Sequence, residues 1–158
     1  MKFSAILAAT VTTLGLVSAD GIFDTKYDLK IDGGGEFNGM YVTPKKTGDD
    51  EFVAIATKKA DSAPYYLHKN SPHDTLIWNH DSKPYYSRAN DKAPLSLKFI
   101  KSGSYNDDRY LHVKDNKVVV KGKVDAGSWY VCEKGEIKFD TKDSKHCSQA
   151  TLKLTKRS

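Results

Sequence analysis

The chain has 158 residues, of which 39% are hydrophobic, and 25 Lys and Arg stand against 20 Asp and Glu, a formal net charge of +5. Both signs are mixed along its length, which argues against a dedicated nucleic-acid binder, where basic residues gather in a run or on one face. The length suits one compact domain with its own core, and no low-complexity stretch divides it.

In chain order the first element is a secretory signal. Lys2 supplies a positive start, "FSAILAATVTTLGLV" an apolar run, and "VSA" a small-residue site before Asp20. A cut after Ala19 is expected, leaving residues 20–158 as a single all-β secreted domain. The apolar run is short for a membrane span and no second one follows, so no membrane span is expected.

Beyond the signal, "DGGGEF" at 32–37 reads as a turn or loose connection. No later segment sustains apolar residues at i, i+3, i+4 and i+7, whereas alternation at period two recurs. The segments 51–57, 75–80, 95–102, 110–122, 128–133, 135–141 and 150–156 are rich in branched and aromatic residues. "PKKTGDDE", "KNSPHD", "KSGSYNDD", "KDNK" and "TKDSKH" punctuate them as turns. The clearest hairpin is "RYLHVKDNKVVVKG", with Leu111 and Val113 alternating before an Asp115-Asn116 turn and Val118 and Val120 after it.

Roughly ten short strands at this spacing predict a closed barrel or a sandwich. "APYYLHKN" and "KPYYSRAN" echo each other twenty residues apart, which favours a fold assembled from similar hairpins. A single compact β-trefoil-like barrel is favoured over a β-sandwich because the domain divides naturally into three, although periodicity alone does not separate them.

Catalytic signals are sparse. His68, His73-Asp74 and His80-Asp81 could serve a metal only if a turn gathered them, since strand residues seven apart face opposite sides. Turn and surface roles are the stronger expectation, and no metal or other cofactor is predicted. The paired acids in "DDE" and "NDD" sit in polar loops, and no Gly-x-Ser-x-Gly elbow occurs. A noncatalytic protein is therefore expected; a small glycan hydrolase would need carboxylates brought together from distant strands.

Tyr65, Tyr66, Trp78, Tyr85 and Tyr86 fall in a turn-dense region. Flat rings with polar tips suit stacking on sugar faces or protein interfaces, while burial is the usual fate of aromatics. They are the candidate glycan-binding residues. Lys156-Arg157 is either a dibasic processing site or a solvated basic tail.

Cys132 and Cys147 are the only cysteines. In an oxidising compartment an even count favours a disulfide over a redox pair, which would want Cys-x-x-Cys, or a zinc site, which would want four ligands. Such a local staple is expected to fix a C-terminal hairpin.

The same segment resembles the C-terminal module of secreted fungal cell wall proteins, both the phialide-development (PhiA-like) group and the wall proteins with internal repeats. The matching residues are Trp129, Cys132, Cys147, Leu152 and Leu154, with "DNKVVVKG" resembling the preceding strand. The resemblance covers about the last fifty residues. It implies a structural or developmental role at the cell wall and names no binding residue. The repeat proteins attach through Gln-containing repeats, whereas this chain has one glutamine, Gln149. That leaves a noncovalent association, or a linkage of another kind, with wall polysaccharide or other wall proteins. A monomer is expected.

Overall fold

A computed structural model describes residues 25–70, 73–89, 95–101, 111–120, 128–140 and 145–158. The expected signal and its cleavage site lie outside these residues. Among the described residues there are twelve strands and three short 3-10 turns, joined in one antiparallel sheet. None of the described helices is long and apolar enough to cross a membrane.

The strands are β1 (Tyr27–Gly33), β2 (Tyr41–Gly48), β3 (Glu51–Thr57), β4 (Tyr65–Asn70), β5 (His73–His80) and β6 (Lys83–Ala89). They continue as β7 (Leu95–Ile100), β8 (Leu111–Lys114), β9 (Lys117–Val120), β10 (Trp129–Cys132), β11 (Ile137–Phe139) and β12 (Cys147–Lys156). Six of them pair in a circuit that returns to its start: β1 with β4, β4 with β5, β5 with β8, β8 with β9, β9 with β12, and β12 with β1. The other six form the pairs β2–β3, β6–β7 and β10–β11. These three pairs touch one another through β3–β7, β7–β11 and a bridge between Ile55 and Glu136.

Alternation along the strands sends one apolar set inward. Leu29, Ile31, Leu76, Leu97, Leu111 and Leu152 are fully buried. Burying each such side chain stabilises the fold by about 1.5–3 kcal/mol relative to exposure. Trp129 joins this core, and its indole N–H donates to the Val118 carbonyl at 2.7 Å, so the polar atom of a buried ring is satisfied.

Two-residue turns set the register locally. Asp115 and Asn116, at φ 50° and 59°, close β8–β9, and Asp81 and Ser82, at 51° and 59°, close β5–β6. Paired positive φ values match the right-handed twist of the flanking strands, and Asp and Asn tolerate them best.

Three expectations need correction. Pro44, Lys45 and Lys46 are not turn residues: they lie in β2 opposite Ala54, Val53 and Phe52. β2 meets β1 only at Lys30 and Tyr41, so the edge beside Pro44 asks for no ladder hydrogen bond, which is where proline is tolerated in a strand.

Of the two readings of the glycine run the turn holds, as a 3-10 turn at Gly35–Phe37, and the loose connection does not. A β-carbon on Gly34, at φ +78°, would sit 2.9 Å from Val131 Cγ2, and one on Gly33 2.9 Å from the Gln149 carbonyl oxygen. The run is the place where the chain after β1 crosses closely over β10 and β12, and only a missing side chain allows it.

The cysteines are bonded as expected, but they do not close a simple hairpin. Cys132 of β10 faces Cys147 of β12 directly, while β11 pairs with the other edge of β10. The bond therefore ties the β10–β11 pair to a strand of the central circuit.

Candidate functional site

An aromatic column runs from the interior to one end of the sheet. It begins at Tyr65, fully buried, whose hydroxyl donates to the Val42 carbonyl at 3.1 Å. Phe99 follows with its centroid 5.7 Å from Tyr65, then Trp78 at 6.0 Å from Phe99. Phe52 stands edge-on to Trp78 at 4.8 Å and to Tyr85 at 5.2 Å. Edge-to-face pairs at such distances add about 0.5–1.5 kcal/mol beyond burial.

The column ends at His80, stacked on Trp78 with centroids 4.7 Å apart and planes 18° apart. Trp78 and His80 are two apart on β5, so both point to the same face. Burial falls along the column from complete at Tyr65 to a His80 side chain that is 41% exposed.

A polar rim surrounds this exposed end. The Tyr85 hydroxyl donates to Asp50 Oδ1 at 3.1 Å, and Lys101 Nζ donates to Asp50 Oδ2 at 3.1 Å. Asp50 sits in the β2–β3 turn at φ 62°, Lys101 just past β7, and His80 at the start of the β5–β6 turn. The Lys101 ammonium, helped by the Tyr85 hydroxyl, holds the Asp50 carboxyl below its usual range. Burial, followed by the hydrogen bond to Asp50, raises the Tyr85 phenol above its usual value. At neutral pH the rim thus offers an ionised acceptor and an ammonium, with the Tyr85 phenol buried and its one proton given to Asp50, beside the His80 imidazole.

Such an arrangement can hold hydroxyl groups, and it is poorly suited to transferring protons to a leaving group. General acid catalysis at neutral pH wants a carboxyl whose pKa is raised. Asp50 and Asp32 both shift downward. No cluster of three or more His, Cys, Asp or Glu able to hold a metal occurs among the described residues.

The five candidate aromatics come together but divide between two faces. Trp78 pairs in register with Tyr65 on one side and Tyr85 on the other, and Ile77 likewise lies between Tyr66 and Tyr86. The two echoed Pro-Tyr-Tyr motifs therefore flank the Ile77-Trp78 step. Tyr65, Trp78 and Tyr85 belong to the core cluster. Tyr66, with 9% of its surface exposed, and half-buried Tyr86 lie on the opposite face.

Asp50 and Lys101 were not legible as site residues. Asp50 lies in a polar turn, and its partners are 35 and 51 positions away in sequence. The acids at 107 and 108 lie outside the described residues, as do the side chains of His68, His73 and Asp74.

A cavity of about 150 Å³ lies among β9, β10, β11 and β12, lined by Val118, Trp129, Phe139, Gln149 and Ala150 among others. It is below the range of about 300–1,000 Å³ typical of small-molecule pockets. Comparison with protein-family models, curated proteins and solved structures finds no match for this chain.

Proposed function

We propose that this chain is a noncatalytic, secreted protein of a fungal cell wall or cell surface. It is built as a β-trefoil-like barrel and associates with wall polysaccharide through the rim of Asp50, His80, Tyr85 and Lys101. The observation that carries the binding reading is the fixed hydrogen-bonding set beside a partly exposed ring: Asp50 held by both Tyr85 and Lys101, with the Tyr85 ring edge-on to His80 at 6.0 Å. Sugars present hydroxyls around an apolar face, and a preset acceptor and donors beside a flat ring match that chemistry.

The circuit of six strands with three further pairs laid against it supports the trefoil-like arrangement, since a trefoil joins a six-stranded barrel to three hairpins. The apolar start of the sequence, the Cys132–Cys147 bond and the resemblance of the C-terminal segment support secretion and a wall location.

The test is retention of the purified protein on insoluble chitin, β-glucan and mannan, with Asp50→Ala and His80→Ala compared at equal folded fraction. Retention on one polymer, weakened in both variants without release of soluble sugar, is the expected result. Wild-type protein that none of the polymers retains would refute the binding reading. Sugar release abolished by a carboxylate substitution would refute the noncatalytic one.

A further inference from the structure

Lysines scattered through the sequence are gathered by strand register. Lys114 of β8 lies directly opposite Lys117 of β9, Lys117 opposite Lys153 of β12, and Lys153 opposite Lys30 of β1. Tyr41 of β2 continues the line beside Lys30. All four lysines occupy the outward phase of their strands: their neighbours Val113, Val118, Leu152, Leu154, Leu29 and Ile31 pack inward. The mixed charge of the sequence thus becomes, on this face, a row one lysine wide across four adjacent strands.

Like charges placed directly opposite one another in a sheet are destabilising, and here three such pairs are consecutive. The compensation is partial. Asp32 pairs with Lys153, and the carboxyl is held below its usual range first by that lysine, with Lys30 and Lys117 adding to the effect. One carboxylate therefore pairs with one ammonium of the row and feels the field of two more. Asp115, in the β8–β9 turn, and Asp28, two residues before Lys30 on β1 and paired with Arg157, are further acids near the row.

We infer that this row is a binding surface for a linear acidic polysaccharide laid across the strands. Neighbouring strands lie about 4.8 Å apart, so a chain crossing them meets one ammonium per strand. That interval suits a polymer bearing one carboxylate or phosphate on each sugar. A membrane would be met by a broad basic face with apolar residues to insert, and a single row on a sheet that curves back on itself is neither. Single-stranded nucleic acid would use several rings for stacking along the groove, whereas the row has Tyr41 at one end. This surface is separate from the Asp50 rim and does not rest on it.

The experiment measures binding of the full chain to polygalacturonate oligomers and to uncharged oligomers of the same length, across a salt series. Binding of the acidic oligomer alone, weakening as salt rises, is expected. Lys30→Gln and Lys117→Gln should each weaken it roughly two- to fivefold, the range of one exposed charge contact. Both variants should be at least as resistant to urea as the wild type, because each removes a like-charge neighbour. Lys45→Gln, an equal charge change on β2 away from the row, should leave affinity unchanged. Absence of binding, or equal loss in the Lys45 variant, would overturn the inference. So would tighter binding to single-stranded DNA or to phosphatidylserine vesicles.

Discussion

Arg157 Nε lies 3.6 Å from Asp28 Oδ1, so the end of the last strand is anchored to the start of the first. The Asp28 side chain is only 4% exposed and also accepts from the Ser62 hydroxyl at 3.3 Å. The Arg157 backbone N–H donates to the Lys26 carbonyl at 2.9 Å. What reads as a dibasic tail is, at Arg157, the counter-charge of a buried carboxylate.

Arg157→Ala should therefore destabilise the fold by about 3 kcal/mol, at the lower end for a broken buried pair because the guanidinium keeps partial access to solvent. Urea denaturation at neutral pH checks this. An unchanged midpoint would mean that the pair contributes nothing and that the terminus is a free tail.

Tyr65 sets an alkaline limit. Complete burial, reinforced by the charge of Asp28, raises its phenol well above the usual value of 10.0. A raised pKa in the folded state contributes stability that is fully present below the unfolded value and is lost as pH rises through the folded one. Stability should thus hold up to about pH 10 and fall above it. Tyr65→Phe should lose about 1 kcal/mol at neutral pH with its hydrogen bond to Val42, and its alkaline decline should be shallower than that of the wild type. An identical decline in both would show that ionisation elsewhere sets the limit.

Gly34→Ala should destabilise by more than about 1 kcal/mol, since the substitution meets both a positive φ and a close Val131 methyl. Gly39, also at positive φ but with nothing within 4 Å of where a β-carbon would sit, isolates the backbone effect. Gly39→Ala should lose less than Gly34→Ala in the same melting experiment, and the reverse order would contradict the close crossing.

Local chemistry was legible in the sequence where it decides structure by itself. β3 runs from Glu51 to Thr57 as its alternation predicts, and Asp115-Asn116 turns the chain as such a pair should. Pro44 misled because proline and paired lysines signal a turn, while the identity of the unpaired edge is a property of the assembled sheet. The same holds for the site. Trp78 lies between Tyr65 and Tyr85, and Lys30 beside Lys153, through pairings between strands that periodicity does not align.

Reducing the disulfide should lower stability by roughly 3 kcal/mol, the chain-entropy value for a loop of this length. Hydrogen exchange should quicken first in β10, β11 and the beginning of β12, because Cys132 and Cys147 tie these elements together. Uniform acceleration across the whole sheet would instead make the bond a requirement of the entire fold.

The central claim is that glycan is held at the rim of Asp50, His80, Tyr85 and Lys101. Backbone amide NMR of the labelled protein, titrated with soluble oligomers of whichever polymer retains it, tests this most directly. Saturable shifts concentrated at residues 49–52, 79–83 and 99–101, with the oligomer recovered intact, are the predicted result. Shifts confined to another face, or cleavage of the oligomer during the titration, would contradict it.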